Sequence, residues 1–355
     1  MIVASFPAVK YGALHYQQLE NDKKTALKQS RGYFDGAMYL SAPAKRELSW
    51  WIDNIDCASN SVCDREPEVT ITSDASKAGW GCSLADCHSG GAWLPAEADF
   101  HINYLELKAI LFALQSFENS ISGKAVRVLA DNTTAVACIN HFGTSHSASC
   151  NDITFTIWQW CIDRDIWLSA AYLPGKENTA VDTESRKINL DAEWQLNPDM
   201  LTKALVQLKA KPTVDLFASR LNKQFPCYVS YRPDPEAYVV DAFSISWKST
   251  EFYAFPPFST ILQVLQKILQ EWSTGVLVVP KWPTQVWWPV LSKMLTAEPI
   301  LIPATKESLI LPSHPQKTHR LVEKGKTSTD GIQSIRKRFE EGGLSDVAAD
   351  LMLSS

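Results

Sequence analysis

The stretch VTITSDASKAGWGC, Val69 to Cys82, sets Val69, Ile71 and Ser73 against Thr70, Thr72 and Asp74. That period of two marks a β-strand. The strand stops on a carboxylate and a short polar turn, not on Gly, Asn or Pro, and a second apolar run, GWGCSL, follows at once. A side chain at a strand end is held by the sheet yet open to a ligand, so Asp74 is placed to present its carboxylate.

After these two strands, GGAWLP reads as a third, and residues 103–119 read as a strong helix that Asn103 can cap. AVRVLAD is a fourth strand, 133–141 and 152–163 are helices, and IWLSAAY (166–172) is a fifth strand. Pro174-Gly175 breaks the chain before a final helix near Ala180. Upstream, residues 1–66 carry helical spacing over 14–27 and 42–55, and 57–68 form a polar linker. Downstream, residues 190–310 alternate strands (214–217, 252–255, 276–279, 299–303) with helices (258–272, 286–295), which predicts a second sheet covered by helices. Residues 312–330 read as a linker, and 331–355 as the opening of a further helical unit.

The chain has 355 residues, 45% hydrophobic and 21% charged, the balance of a globular protein of two or three domains. No apolar run approaches the roughly 18 residues of a membrane span, so no membrane partner is expected. The first residues lack the basic start and apolar core of a secretory signal, which predicts an intracellular, reducing setting, with cytoplasm and nucleus undivided. The eight cysteines are then free thiols; Cys57 with Cys63, and Cys82 with Cys87 and His88, lack the CxxC spacing of a zinc site. A net charge of −5 opposes nonspecific nucleic-acid binding by the whole chain. Residues 314–338 are basic and are the segment that can meet DNA phosphate, although their first reading is a solvated linker.

Three more acids stand with Asp74. Glu106 lies in the first turn of the long helix, with Ala109, Ile110 and Ala113 on its face, so it points at the sheet. Asp131 ends its strand as Asp74 does, and Asp182 follows the Pro-Gly break. Each has an ordinary explanation: strand-end turns, a helix dipole, an i,i+4 pair with Arg186. If the first and fourth strands are neighbours, however, one fold gathers all four acids. Repulsion among carboxylates about 4 Å apart, several kcal/mol per pair, then calls for protonation or cations. Magnesium, a hard ion that prefers oxygen, is the natural partner, with manganese as the substitute. Two such ions can clamp a phosphodiester.

ITSDAS, NYLELKAI, VLADNTTAV and YLPGKENTAVDTESR resemble the four motifs of the RNase H domain of retroelement reverse transcriptases. The resemblance covers about residues 69–188 and implies catalytic, metal-binding roles for Asp74, Glu106, Asp131 and Asp182. It departs from the family at Val181 and Glu184, where Ala and a Leu-like residue are usual. No His lies between His146 and Asp182, where cellular enzymes carry a mobile one, so slower turnover is expected. The implied fold is α/β, an RNase H-like five-stranded mixed sheet with helices on both faces. The implied partner is an RNA–DNA hybrid, whose strands differ by the 2′-hydroxyl. Ser76 and Asn132, beside two of the acids, are candidates to bind substrate, or else they cap local turns. The implied function is endonucleolytic hydrolysis of the hybrid's RNA strand with two metal ions. The alternatives are a decayed copy that binds nucleic acid without cutting it, and another nuclease of the same fold, such as a DDE integrase or a resolvase.

The flanks extend the resemblance to DIRS-type retrotransposon polyproteins. Residues 1–66 look like a reverse transcriptase thumb and connection remnant, which makes the polymerase a partner within the same polyprotein. Residues 67–190 are the RNase H-like domain. Residues 191–311 resemble a Rossmann-like adenine methyltransferase region, and 312–330 link it to 331–355, which resemble the first helices of a tyrosine recombinase. Phe255-Pro256-Pro257-Phe258 puts a phenyl ring where such methyltransferases carry Asn or Asp, and no Gly-rich loop stands beside Asp215, so methylation is not expected. Trp282, Trp287 and Trp288 read as core, with base stacking as the other use.

Overall fold

In the computed structural model, which describes residues 2–61, 65–174, 193–303 and 305–319 and the backbone of 332–336, the stretch from Val69 folds as three antiparallel strands. They are β1 (Val69–Ala75), β2 (Gly79–Leu84) and β3 (Cys87–Ala92). Leu84 pairs with Cys87, so two residues, Ala85 and Asp86, make the turn, with Ala85 at φ 50°. The expected third strand, GGAWLP, therefore lies too far along. The turn uses Ala-Asp in place of the Asn-Gly that marks such hairpins in a sequence.

The chain divides into two units, Met1–Ile188 and Asn189–Ser355. In the first, β4 (Ala125–Ala130) and β5 (Trp167–Tyr172) complete a sheet of order β3-β2-β1-β4-β5. β4 runs parallel to both β1 and β5. The helices are α3 (Ile102–Ser116), α4 (Thr133–Asn140) and α5 (Ala148–Ile162). Ile71, Trp80, Val126, Val128 and Leu168 from the sheet share one buried core with Leu107, Ile110 and Leu114 of α3 and Ile157 of α5. This is the RNase H-like α/β arrangement, a mixed five-stranded sheet with packed helices. The helix expected near Ala180 lies outside the described residues. Asn103 does not cap α3: His101 does, its Nδ1 accepting from the Asn103 N–H at 3.2 Å.

Two further helices, α1 (Gln17–Gln29) and α2 (Ala42–Asn54), precede the sheet and belong to the same unit. Tyr11 sets its ring against Trp158 and Trp167, and His15 stacks on Trp50 at 4.0 Å with its edge toward Phe155 of α5. Glu47 of α2 accepts from the Gln18 and Leu19 N–H groups at 3.0 and 2.8 Å, so one helix satisfies the open N-terminus of the other. Gly143, after α4, has φ +127° and lies beside Asn151 and Gln17. A Cβ there would sit 2.4 Å from Asn151 Oδ1, the acceptor for the Thr144 N–H. Gly143→Ala is therefore expected to destabilise the first unit by about 2 kcal/mol, or about 4–8 °C in Tm. Calorimetry checks this; an unchanged Tm would show that the turn relaxes freely.

The second unit is also α/β. Its helices are α6 (Pro198–Leu208), α7 (Ile261–Glu271) and α8 (Trp288–Met294). A small sheet pairs β6 (Gln195–Leu196) with β13 (Leu309–Ile310). The main sheet holds β7 (Val214–Asp215), β8 (Cys227–Ser230), β9 (Val239–Val240), β10 (Glu251–Ala254), β11 (Thr274–Pro280), β12 (Ile300–Ile302) and β14 (Ile332–Arg336). Its order is β12-β14-β11-β10-β7-β8-β9. The five strands from β11 to β9 are parallel, and β14 is antiparallel to both its neighbours. The sequence places a helical unit from 331; residues 332–336 are instead a strand. Inserted between β11 and β12, it pairs backbone groups that two sheet edges would leave open. Trp287 is buried, while Trp282 and Trp288 are partly buried against the same core. α6, with Asn197 as its cap and Pro198 at its first position, was legible from Asn-Pro but is absent from the sequence reading.

Candidate active site

The parallel pairing of β1 with β4 brings two strand ends side by side, and both end on acids. Asp74 pairs with Gly81 across the hairpin and is 6% exposed. Asp131 is the residue after β4 and is the more open of the two. α3 packs over β1 and β2 and carries Glu106, 3% exposed, to the same place. One carboxylate oxygen from each of Asp74, Glu106 and Asp131 lies within 4.8 Å of the others. Among the described residues this is the one cluster of three or more His, Cys, Asp or Glu side chains at metal-binding spacing. The seven described cysteines are free thiols. Asp182 lies outside the described residues.

Burial, and then the charges of Asp74 and Asp131, push the Glu106 carboxyl from its ordinary 4.5 up to about 9. A hydrogen bond from the Ala75 N–H pulls the other way. Glu106 Oε2 is buried with no hydrogen-bond partner among the described residues. Were all three groups ionised, each pair at this spacing would repel by about 3 kcal/mol at an effective dielectric near 20. A buried oxygen without a donor, facing two more carboxylates, calls for either a proton or a hard divalent cation.

The two other candidate site residues, Ser76 and Asn132, both make local hydrogen bonds. Ser76 Oγ accepts from the Ala78 and Gly79 N–H groups and closes the β1–β2 turn, which Trp93 braces by donating to the Ser76 carbonyl at 2.8 Å. Asn132 caps α4, its Oδ1 accepting from Ala135 N–H at 2.9 Å. Its Nδ2 donates to Asn103 Oδ1 at 3.0 Å. The sequence reading missed that bond. It ties the turn that holds Glu106 to the residue beside Asp131. The signal available was an Asn three residues before one acid and another directly after the next.

The fold of the first unit is RNase H-like, and the acidic cluster lies at the ends of two of its parallel strands. The chain is similar to several solved structures over part of its length. LC11-RNase H1 in complex with an RNA/DNA hybrid is 17% identical, with 34% of this chain and 96% of that one covered and a TM-score of 0.30. RNase H1 from the halophilic archaeon Halobacterium salinarum is 13% identical, with 35% and 98% covered and a TM-score of 0.29. The protease-reverse transcriptase of Prototype Foamy Virus is 17% identical, with 49% of this chain but 24% of that one covered and a TM-score of 0.24. No protein-family model matches the sequence, and no curated protein is significantly similar to it.

Proposed function

We propose that the first unit is a retroelement-type RNase H that hydrolyses the RNA strand of RNA–DNA hybrids. The observation that carries the reading is the convergence of Asp74, Glu106 and Asp131 at two parallel strand ends, with a buried Glu106 oxygen left without a donor. These three, with Asp182 from the motif resemblance, are the residues that would hold two magnesium ions, with manganese as substitute. When bound, such ions activate water and neutralise charge on the departing oxygen. The chain's own part is to hold the carboxylates. The buried core fixes Glu106 on α3, and the Asn103–Asn132 bond ties its turn to the residue beside Asp131. No side chain attacks the phosphodiester in this scheme; water is the nucleophile.

The doubly wound second sheet supports the methyltransferase-like reading of 191–311 as architecture. Phe255 follows β10 and is partly buried, and a phenyl ring cannot accept a hydrogen bond from a target amine. A scaffold role is the proposal for this unit, within a DIRS-like polyprotein. The decisive experiment incubates the full chain and magnesium with a labelled RNA–DNA hybrid, beside duplex DNA and duplex RNA. Cutting confined to the RNA of the hybrid is expected. Cutting of duplex DNA instead would move the chain to another nuclease class of this fold, and no cutting would leave only nucleic-acid binding.

A further inference from the structure

Beyond the acidic cluster, the first unit exposes a second chemical surface. Lys28 lies in the last turn of α1 and Arg31 just beyond it, and Lys45 and Arg46 lie in the first turns of α2. All four are exposed, and none forms an ion pair among the described residues. Lys23 and Lys24, also exposed, share the one carboxylate of Glu20. The nearby acids offset little of this. Asp22 is turned inward, accepting from the Ser41 N–H at 2.6 Å, which leaves Asp35 as the exposed acid of the connecting loop.

That loop is unusual in a second way. Residues 31–39 are exposed without exception, and they include Tyr33 at 64%, Phe34 at 81% and Tyr39 at 96% exposure. These large aromatic rings are left mostly in water, in a loop flanked by cations. They match a partner with a negative backbone and flat apolar faces, which describes nucleic acid.

The helix that carries part of this surface is tied to the segment that follows the acids. Lys24 Nζ donates to Ser145 Oγ in the connection between α4 and α5, and Gly143 in the same connection lies against Gln17. α4 begins directly after Asp131 and Asn132 and ends at Asn140. Eight residues at a rise of about 1.5 Å make it roughly 12 Å long. The connection that α1 touches therefore begins about 12 Å of helix past Asn132, or three to four base-pair steps of about 3.4 Å. A duplex lying across the acids extends past that distance.

We propose that α1, the loop 30–41 and the start of α2 form a substrate-holding surface, in which Lys28, Arg31, Lys45 and Arg46 bind backbone phosphates of the hybrid duplex. The exposed Tyr33, Phe34 and Tyr39 pack on its sugars or on unpaired bases at its end. This rests on the hybrid-nuclease reading for the identity of the duplex, not for the presence of the surface. The cluster of acids repels the same backbone, so a cationic holder at a distance from it gives the chain the affinity that its net charge of −5 denies it.

The test measures binding of a labelled 20-base-pair RNA–DNA hybrid to the full chain carrying Asp131→Asn, across a range of salt. One variant adds Lys28→Ala, Arg31→Ala, Lys45→Ala and Arg46→Ala. A control adds Lys203→Ala, Lys211→Ala, Lys248→Ala and Lys306→Ala, four exposed cations of the second unit and the same change in charge. The first set is expected to weaken binding by about tenfold or more and to flatten the salt dependence by about one unit for each phosphate no longer neutralised. The control should change neither, and both should keep the parent's Tm. Equal losses in the two sets would reduce the effect to net charge and overturn the surface, as would unchanged binding in the first set. Hybrid cleavage by the unmutated chain alongside unchanged binding sinks the surface and leaves the nuclease. Selective loss of binding without any cleavage sinks the nuclease and leaves the surface.

Discussion

If the first unit is a hybrid nuclease, replacing Asp131 by Asn is expected to lower hybrid cleavage by about a thousandfold while leaving the fold and hybrid affinity nearly intact. Asn keeps the size of the side chain and its place after β4 but removes the charge that a divalent ion requires. Losing one ligand at a phosphoryl-transfer site removes about 4 kcal/mol of transition-state stabilisation, which is about three decades in rate. Asp131 suits this test because it is the more open of the acids and its loss leaves no buried polar gap. A single-turnover assay with saturating protein isolates the chemical step. Hybrid cleavage at more than about a tenth of the parent rate would remove Asp131 from the site and with it the carboxylate scheme.

Without metal, Glu106→Gln is expected to show itself in stability, apart from its cost in rate. In the metal-free fold burial holds the Glu106 carboxyl protonated up to about pH 9, whereas in the unfolded chain it ionises near 4.5. Between those values the folded state binds the extra proton, so stability is full below about pH 4.5 and falls as pH rises toward 9. The full loss over that window is on the order of several kcal/mol. In chelator the parent's Tm is therefore expected to fall between about pH 5 and 9. Glu106→Gln, which has no proton to lose, should flatten that fall and be the more stable protein at about pH 8. Magnesium should raise the parent's Tm at that pH and do far less for the variant, since binding to the folded state alone stabilises it by mass action. A Tm profile that is the same for both proteins in chelator would mean that Glu106 is ionised or solvated in the fold, contrary to its burial.

Much of the first unit was legible because its signals are local. The alternation over Val69–Asp74, the apolar run AVRVLA and the 3.6-residue period from Leu105 to Leu114 each name one element by themselves. The misplacements also have local causes. β3 shifted because its turn uses Ala85 at φ 50°, and α3's cap shifted because a histidine ring nitrogen took the place of a polar side-chain oxygen. The second unit was harder to read. β7, β8 and β9 are two to four residues long, too short for any period to show. β14 is a strand through pairing with β11 and β12, partners that lie about 30 residues or more away in the chain.

The sequence by itself determined the identities and order of the acids, the strand that ends on each aspartate and the buried helical face that holds Glu106. It also determined the positive charge and aromatic content of residues 23–46. Only the tertiary structure decided that β4 lies beside β1, that three carboxylates come within 4.8 Å, that Asn103 joins Asn132, and that α1 touches the connection after α4. The physical reason is range. Periodicity and capping act over a few residues and are written in the chain, whereas strand neighbours, the burial that lifts a carboxyl to about 9, and a patch of like charge exist only once distant segments share one core.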